Sequence, residues 1–218
     1  HNNERKTPDW VLERLTLASF TGPGDRNEQG NPFREDPDLT EDSEKSHLSD
    51  YAKSGYDRGH MSPAADNKFS ERAMLHSFYL SNMAPQIGIG FNRGIWADLE
   101  GLVREWTCDH QELIVITGPI YGAHIEQLKQ SVAIPEAFYK IVVDPERQMS
   151  LAFILPNAKV DKKRKDAAFV LKDYRKTIGE VEEQTGIDFI PRLGYQAKNS
   201  IKRARSSIWP VYAGCQKT

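Results

Sequence analysis

Tyr56-Asp57-Arg58-Gly59-His60-Met61-Ser62-Pro63-Ala64-Ala65-Asp66 is the stretch of sequence that says most about this chain. In an extended segment alternate side chains project to one face, so Arg58 and His60 would point together toward one substrate. An unperturbed imidazole titrates at about pH 6.5 and can take a proton from water. A guanidinium matches the oxygens of a phosphate. The pair indicates phosphodiester chemistry, although an isolated Arg-x-His is more often structural.

A second informative stretch begins at Phe91-Asn92-Arg93-Gly94-Ile95-Trp96 and continues to Arg104. At about 100° per residue, Asn92, Glu100 and Arg104 fall within an arc of roughly 120° and would look toward one site. The apolar residues of the stretch recur at helical spacing and predict a buried face from Asn92 onward, formed by Ile95, Leu99, Leu102, Val103 and Trp106.

The polar residues of this predicted helix have ordinary as well as functional interpretations. Asn92 is as readily a helix N-cap as a ligand of a divalent cation through its amide oxygen. Glu100 by itself would be a solvated carboxylate, with Arg104 as its i,i+4 ion-pair partner. In the functional interpretation Glu100 orients water on a metal ion, and Arg104 faces the charge that develops on the phosphate.

The overall composition permits a well-filled globular domain but gives no whole-molecule attraction to nucleic acid. The chain has 218 residues, 39% of them hydrophobic, and a formal net charge of −2. A polyanionic partner would therefore need a local basic surface. Trp209 and Tyr212 lie near one candidate and could stack bases there, although a solvated tail is the simpler interpretation. The two basic clusters are Lys159 with Lys162-Lys163-Arg164-Lys165, and Arg192 with Lys198, Lys202, Arg203 and Arg205.

The cellular location rests on weaker signals. No apolar run is long enough to span a bilayer, so no membrane association is expected. The chain begins at His1 rather than Met, so a targeting segment that had been removed would not be visible. Cys108 and Cys215 are either two buried thiols or a disulfide, which would favour an oxidising compartment. We expect a secreted or periplasmic protein, with a mitochondrial enzyme as the alternative.

The remaining pattern predicts one α+β domain over residues 1–218, with a central mixed or antiparallel sheet flanked by helices. Residues 1–50 would form an N-terminal segment with a polar loop, residues 55–107 the core that carries the motifs described above, and residues 192–218 an irregular basic tail. Strands are predicted at Leu113 to Tyr121, Ala137 to Asp144 and Ser150 to Pro156. Helices are predicted from Ser70 to Leu80, with Ser70 as the cap, and from Lys165 to Gly186, with a break near Gly179.

The region from Gly55 to Glu100 resembles the signature of the DNA/RNA non-specific endonucleases of the ββα-metal class, which include endonuclease G. Weaker similarity extends from about Trp10 to residue 190. The elements that carry the resemblance are Asp57-Arg58-Gly59-His60, Phe78-Tyr79-Leu80-Ser81-Asn82-Met83 with Pro85-Gln86, and Asn92-x-Gly94-x-Trp96-x-x-Leu99-Glu100.

The resemblance implies a role for each residue of the site. His60 would be the general base that activates the attacking water. Asn92 would be the sole direct protein ligand of a hydrated Mg²⁺, for which Mn²⁺ or another divalent ion can substitute. Four further residues would assist: Glu100 by holding water on the metal ion, Arg58 and Arg104 by contacting the phosphate, and Asn82 by positioning its neighbours through hydrogen bonds.

The sequence leaves some features of the resemblance open. An additional phosphate-binding arginine near the N-terminus has two candidates, Arg26 and Arg34, and neither is in clear register. The linker Ile87-Gly88-Ile89-Gly90 is about one residue longer than the resemblance leads us to expect, which predicts a local bulge. Asp57 receives no chemical role and is expected to be structural.

These observations predict a sugar-non-specific endonuclease that hydrolyses DNA and RNA with a divalent metal and a histidine base. The products would carry 5′-phosphate and 3′-hydroxyl ends. The alternative is a non-catalytic nucleic-acid-binding or inhibitor-binding module on the same fold. DNA and RNA are the expected substrates, and the resemblance leaves room for a homodimer and for a protein inhibitor.

Overall fold

A five-stranded antiparallel sheet lies at the centre of the structure, a computed structural model that describes residues 1–26, 31–161, 166–190, 201–203 and 206–212. The strands are β1 (Val11–Thr16), β2 (Tyr56–His60), β3 (Met83–Ile87), β4 (Glu112–Ile120), β5 (Gln127–Leu128), β6 (Val132–Ala133), β7 (Ala137–Asp144), β8 (Met149–Pro156) and β9 (Arg175–Lys176). The helices are α1 (Leu48–Tyr51), α2 (Glu71–Ser77), α3 (Ala97–His110), α4 (Ala167–Leu171) and α5 (Ile178–Thr185).

The strand order of the main sheet is β1-β4-β7-β8-β9, and every neighbouring pair is antiparallel. Side chains alternate between its faces, as the period of two in a strand requires. On β7, Phe138 and Val142 join the core cluster that also contains Leu99 and Trp106 of α3. Tyr139 and its alternate neighbours belong to a second cluster with α5. The sheet is therefore covered on both faces, and α3 lies on the face that leads to the predicted site.

The predicted strands of the sheet are confirmed to within one residue at each end. The strand from Ala137 to Asp144 has the predicted bounds, because its β-branched and aromatic run is ended by turn formers on both sides. The N-terminal segment, for which the sequence allowed a strand or a helix, contributes β1 as an edge strand. The α+β class is confirmed, and the sheet is antiparallel rather than mixed.

Two helix predictions need correction at their ends. The hydroxyl of Ser70 accepts the backbone N–H of Ala73 at 3.4 Å, so Ser70 is the predicted cap, but α2 ends at Ser77 rather than Leu80. The break in the later helical region is not near Gly179, which lies inside α5. It lies at β9, because Arg175–Lys176 pairs with β8 and its backbone groups are satisfied there instead of in a helix.

The regular helix begins later than predicted, so Asn92 does not lie on it. An irregular segment, Gly88–Trp96, precedes α3 and leaves helical geometry at four residues, among them Gly90 and Gly94. Gly90 has a φ of +88°, a conformation that glycine adopts without cost. The linker for which a local bulge was predicted is thus irregular at Ile89 and Gly90. Asn92 is not an N-cap either, since Trp96 occupies that position before α3.

Part of the C-terminal region, within the described residues 206–212, packs against the core of the domain. Trp209 is only 4% exposed, stacks on His110 with ring centroids 4.6 Å apart, and accepts the indole N–H of Trp106 on its carbonyl. The prediction that Trp209 could stack nucleic-acid bases is therefore wrong. Lys202 pairs with Glu182 and Asp188. Several residues of the two predicted basic clusters lie outside the described residues, namely Lys162 to Lys165, Arg192, Lys198 and Arg205.

Two further findings concern the cysteines of the chain and its candidate membrane-spanning helices. Cys108 is disulfide-bonded; the chain's other cysteine, Cys215, lies outside the described residues. Across the described ranges, no helix combines the length and apolar character needed to traverse a lipid bilayer.

Candidate active site

Strands β2 and β3 form a two-stranded antiparallel sheet that opens onto a cleft of about 690 Å³. His60 at the end of β2 pairs with Met83 at the start of β3. The segment Gly88–Trp96 follows β3 and leads into α3, so the ββα order predicted from the sequence is present. The cleft is lined by four of the predicted site residues, Arg58, His60, Asn92 and Glu100, and by Arg26, Phe33, Asp57 and Arg93.

Gly59 leaves room for the side chain of Gln86 on the face of β2 opposite to Arg58 and His60. A Cβ atom at this position would lie 2.1 Å from the side-chain carbon of Gln86, whose side chain is fully buried across the strand. A larger residue at this position would require the buried side chain of Gln86 to move. Arg58 and His60 share one face of β2, as their alternation predicted.

The imidazole of His60 is held between aromatic rings. The ring centroids of Phe33 and Phe78 lie 5.6 and 4.9 Å away, and the contact with Phe78 is edge-to-face. Its Nε2 atom is buried, and no hydrogen-bond partner for it is found among the described residues. Burial, followed by the positive charges of Arg26 and Arg58, lowers the pKa of His60 to about 3. The ring is therefore neutral at physiological pH.

Two arginines flank His60 over the same aromatic floor. The guanidinium of Arg58 lies 4.1 Å from the centroid of Phe33, and that of Arg26 lies 5.3 Å from the centroid of Phe78. Arg34 is not at the cleft, because its Nε donates to the carbonyl of Pro32. Of the two candidates for the additional N-terminal arginine, the structure therefore places Arg26 at the site.

Asp57 orients the side chain of Asn92. The Nδ2 group of Asn92 donates to Oδ2 of Asp57 at 2.9 Å. Because a carboxylate only accepts, this bond fixes which end of the amide faces Asp57 and leaves the amide oxygen for another partner. Arg93 also pairs with Asp57 at 2.9 Å. The contacts of Asp57 are those expected of a structural residue. The residue that it holds in place is Asn92, the predicted metal ligand.

A buried group of charges lies beneath Glu100. Lys140 of β7 is 1% exposed; its ammonium donates to the hydroxyl of Thr117 at 2.6 Å and lies 4.9 Å from the Trp96 ring centroid. Burial raises the pKa of Glu100 to about 7, while the positive charge of Lys140 lowers it. Burial likewise raises the pKa of Glu13 to about 8. Glu13 accepts the hydroxyl of Ser62 at 2.7 Å.

The charges of this group balance if one carboxyl keeps its proton. Its acids are Glu13, Asp66 and Glu100, and its cations are Lys140 and Arg104. Burial raises the pKa of Glu13 further than that of Glu100; with Glu13 neutral and with Asp66 and Glu100 ionised, two carboxylates face two cations. Buried charges are tolerated when they are paired in this way.

Two predicted site residues lie outside the cleft lining. Arg104 donates to Oδ1 of Asp66 at 2.9 Å, so its partner is a buried aspartate rather than the Glu100 that i,i+4 spacing suggested. Asn82 accepts the N–H of Ser62 and donates to the carbonyls of Ser62 and Ser77. These bonds tie the segment after His60 to the end of α2. The geometry of Asn82 is therefore that of a positioning residue.

Sequence reasoning missed several residues that shape the site. Lys140 had a visible signal, since it is a lysine inside the apolar run Ala137 to Val143. Glu13 and Asp66 had none, because a single carboxylate in a mixed segment is normally solvated. Their contributions depend on β1 and the turn at Ala64–Asp66 meeting α3, which is a tertiary contact.

The donor set of the cleft fits a hard divalent cation with few protein ligands. Asn92 offers an oriented amide oxygen, and Glu100 a carboxylate that lines the same cleft. Within the part of the chain that the structure describes, no group of three or more His, Cys, Asp or Glu side chains could hold a metal. This combination suits an ion such as Mg²⁺, which keeps several of its waters and uses one or two protein oxygens.

Comparison with known proteins agrees with this geometry. The model of the DNA/RNA non-specific endonuclease family matches residues 1–196. Nuclease C1 of Cunninghamella echinulata var. echinulata is 38% identical over 208 residues, covering 88% of this chain and 79% of that protein. The mitochondrial nuclease of Saccharomyces cerevisiae is 34% identical over 223 residues, covering 92% of this chain but 65% of that protein. This chain therefore spans less than two thirds of the yeast relative.

Human and structural relatives give the same result. Mitochondrial endonuclease G of Homo sapiens is 34% identical over 198 residues, covering 84% of this chain and 64% of that protein. A solved structure described as "Crystal structure of the EndoG/EndoGI complex: Mechanism of EndoG inhibition" matches with a TM-score of 0.79 and 29% identity, over 90% of this chain and 84% of that one. The predicted fold and enzyme class are thereby confirmed, and the chain belongs to the DNA/RNA non-specific endonuclease family.

Proposed function

We propose that the chain hydrolyses phosphodiester bonds of DNA and RNA internally, with a divalent metal ion and His60 as the general base. The observation that carries this proposal is a neutral imidazole between two arginines, beside an asparagine whose amide oxygen is oriented by Asp57. A base, two phosphate-binding cations and a hard oxygen ligand are the groups that such a hydrolysis needs.

Nδ1 of His60 is the nitrogen proposed to take the proton from water. Nε2 is buried against the aromatic floor, so Nδ1 is the ring nitrogen left to face the cleft. A pKa of about 3 would make a weak base at neutral pH. A bound phosphate diester would offset the charges of Arg26 and Arg58, which raises the pKa of His60 when substrate is present. Substrate binding thus strengthens the base.

The metal ion would be held through the amide oxygen of Asn92, with Glu100 positioning water around it. Nucleases of this family depend on a divalent metal ion, and we propose Mg²⁺, with Mn²⁺ able to replace it. When bound, the ion would supply positive charge next to the reacting phosphate. Arg58 and Arg26 would hold the non-bridging phosphate oxygens. Arg104, which lies outside the cleft lining, would contribute indirectly through its ion pair with Asp66.

Low sequence selectivity and the product ends follow from the same arrangement. The groups of the cleft meet phosphate and metal rather than base edges, so base identity has little influence. Attack by water in line with the leaving 3′-oxygen would leave 5′-phosphate and 3′-hydroxyl ends. A non-catalytic binding module is the alternative. It is disfavoured because the proposed base, two arginines and the oxygen-bearing side chains of Asn92 and Glu100 line one cleft.

Digestion of closed circular plasmid and of RNA tests the proposal. With Mg²⁺ we expect the circle to be nicked and linearised and the RNA to be degraded, and with EDTA we expect neither. Only an internal cut opens a closed circle, so the assay also separates endonuclease from exonuclease action. Tight plasmid binding without any cleavage, with Mg²⁺ or with Mn²⁺, would establish the binding module instead.

Arg26 and Arg34 form a matched pair for testing phosphate contacts. Arg26→Ala is expected to lower kcat/KM on DNA by about ten- to a hundredfold and to reduce the slope of log Kd against log salt by about one. Arg34→Ala should leave that slope unchanged, because Arg34 does not line the cleft and its Nε is bonded to the carbonyl of Pro32. Salt titrations of oligonucleotide binding in EDTA measure both slopes. Equal slopes for the two variants would contradict the assignment of Arg26.

Partners and location are proposed on separate grounds. The EndoG structure was solved as a complex with EndoGI, which supports a protein inhibitor as a partner of this chain, and a homodimer remains a proposal. The disulfide at Cys108 supports a secreted or periplasmic location. The names of the yeast and human relatives support a mitochondrial one. Fractionation of the source cells with antibodies against the chain distinguishes these locations.

A further inference from the structure

A second cleft of about 700 Å³ adjoins the reaction cleft. The two share Arg26, Ala64 and Ala65 in their linings, so they are continuous across the guanidinium of Arg26. The second cleft is lined by the glycine-containing turn at residues 22–24, by Lys68 and by Met74. Its volume lies within the range of pockets that hold a small organic ligand, and a single nucleotide is such a ligand.

The walls of this second cleft are held in place by backbone contacts. The N–H of Gly24 donates to the carbonyl of Lys68 at 2.9 Å, and the N–H of Lys68 donates to the carbonyl of Ser19 at 3.0 Å. Gly22 has a φ of +135°, and a Cβ there would lie 2.6 Å from the carbonyl oxygen of Lys68. The turn and the Lys68 segment therefore form one rigid rim.

The rim carries a cation followed by an aromatic ring. Lys68 is exposed and lines the cleft. Phe69, the next residue, is 52% exposed and lies outside the lining itself, but its Cα atom would be 2.9 Å from a Cβ atom at Gly22, which lines the cleft. Among the described residues of the lining, Arg26 and Lys68 are positive and Asp25 is negative, which sums to +1. An exposed aromatic ring next to a cationic groove is the arrangement that proteins use to bind single-stranded nucleic acid, by stacking a base and holding its phosphate.

We propose that this second cleft is a subsite for the nucleotide flanking the scissile phosphate, with Lys68 at its phosphate and Phe69 as the stacking surface for an unpaired base. The inference rests on the proposed function. It assigns the chain a preference for substrates whose strand is single or locally unpaired next to the cut, since a stacked, paired base cannot reach Phe69. Substrates too short to occupy the second cleft would lose this contribution.

The test compares a one-nucleotide substrate with a single strand. The variant Lys68→Ala/Phe69→Ala is expected to weaken binding of a fluorescent single-stranded oligonucleotide, measured by anisotropy in EDTA, by tenfold or more. Its kcat/KM on the p-nitrophenyl ester of thymidine 5′-phosphate should stay within about twofold of the parent. Phe69→Trp, which keeps a stacking ring and the cation, should bind the oligonucleotide as tightly as the parent.

A second lysine–phenylalanine pair provides the matched control. Lys172 lies 5.5 Å from the ring centroid of Phe169, which is 46% exposed, and neither residue lines either cleft. Lys172→Ala/Phe169→Ala should leave both measurements unchanged. Circular dichroism of each variant verifies that the fold is intact.

The outcomes separate this inference from the proposed function. Unchanged oligonucleotide affinity in the Lys68/Phe69 variant, or an equal loss on the one-nucleotide ester, would overturn the subsite while the parent still cut plasmid. An inactive parent on every substrate would overturn the proposed function, and the anisotropy measurement in EDTA would still judge the subsite by binding alone.

Discussion

Replacing His60 by alanine is expected to lower kcat for DNA hydrolysis by about 10²- to 10⁴-fold, the usual contribution of a general base. The variant keeps Arg58, Asn92 and Glu100 in the cleft, so oligonucleotide affinity should change far less than kcat. It also leaves a space between Phe33 and Phe78 where the imidazole lay. Added imidazole is therefore expected to restore part of the rate, a result that a purely structural histidine would not give.

His76 offers the control for this variant. It is exposed at the end of α2, stacks on Tyr79 and does not line the cleft. His76→Ala should retain the parental kcat in the same plasmid assay. The assignment of the base would be wrong if His60→Ala cut plasmid as fast as His76→Ala does.

The low pKa of His60 also predicts how stability depends on pH. Its pKa is about 3 in the folded chain and about 6.5 when unfolded, so between these values the unfolded chain binds a proton that the folded chain does not. The free energy of unfolding should therefore fall as pH decreases from 6.5 toward 3, by up to about 1.4 kcal/mol per pH unit from this group. Urea titrations in EDTA should show a shallower acid decline for His60→Gln than for the parent.

Lys140→Met is expected to lower the free energy of unfolding by about 3–5 kcal/mol, because it removes one partner from a buried group of charges. Lys140 is nearly inaccessible, and Glu100, Glu13 and Asp66 all act on its ammonium. Without it, the pKa of Glu100 should rise, and a higher pH is then needed to ionise that carboxyl. The acid limb of the activity profile should accordingly move to higher pH.

A double-mutant cycle with Glu13 separates the charge from the packing. Glu13→Gln alone should change stability little near pH 7, since the raised pKa already keeps Glu13 neutral there. The Lys140→Met/Glu13→Gln variant should then be about as unstable as Lys140→Met, with a small coupling energy. A large recovery in the double variant would mean that Glu13 is ionised in the native state. Urea denaturation of the four proteins supplies the cycle.

Parts of the fold could be predicted because local sequence and tertiary structure agree there. The strand from Ala137 to Asp144 was found with its bounds, and Ser70 was found as a cap. The prediction failed where the chain leaves a regular period: the helix that was predicted to contain Asn92 starts only at Ala97, since the backbone leaves helical geometry at Gly90 and Gly94. Asn92 therefore does not share a helical arc with Glu100, as was predicted, although Asn92 and Glu100 do line one cleft.

The sequence by itself determined the reactive side chains and their order along the chain, from β2 through the segment Gly88–Trp96 to α3, because each depends on residue type and on short-range spacing. Only the tertiary structure decided which arginine reaches His60, which carboxylate orients Asn92, and what lies beneath Glu100. Arg26, Asp57 and Lys140 come from segments far apart in the chain. Their effects follow from distance, burial and charge in three dimensions, and no local pattern encodes these.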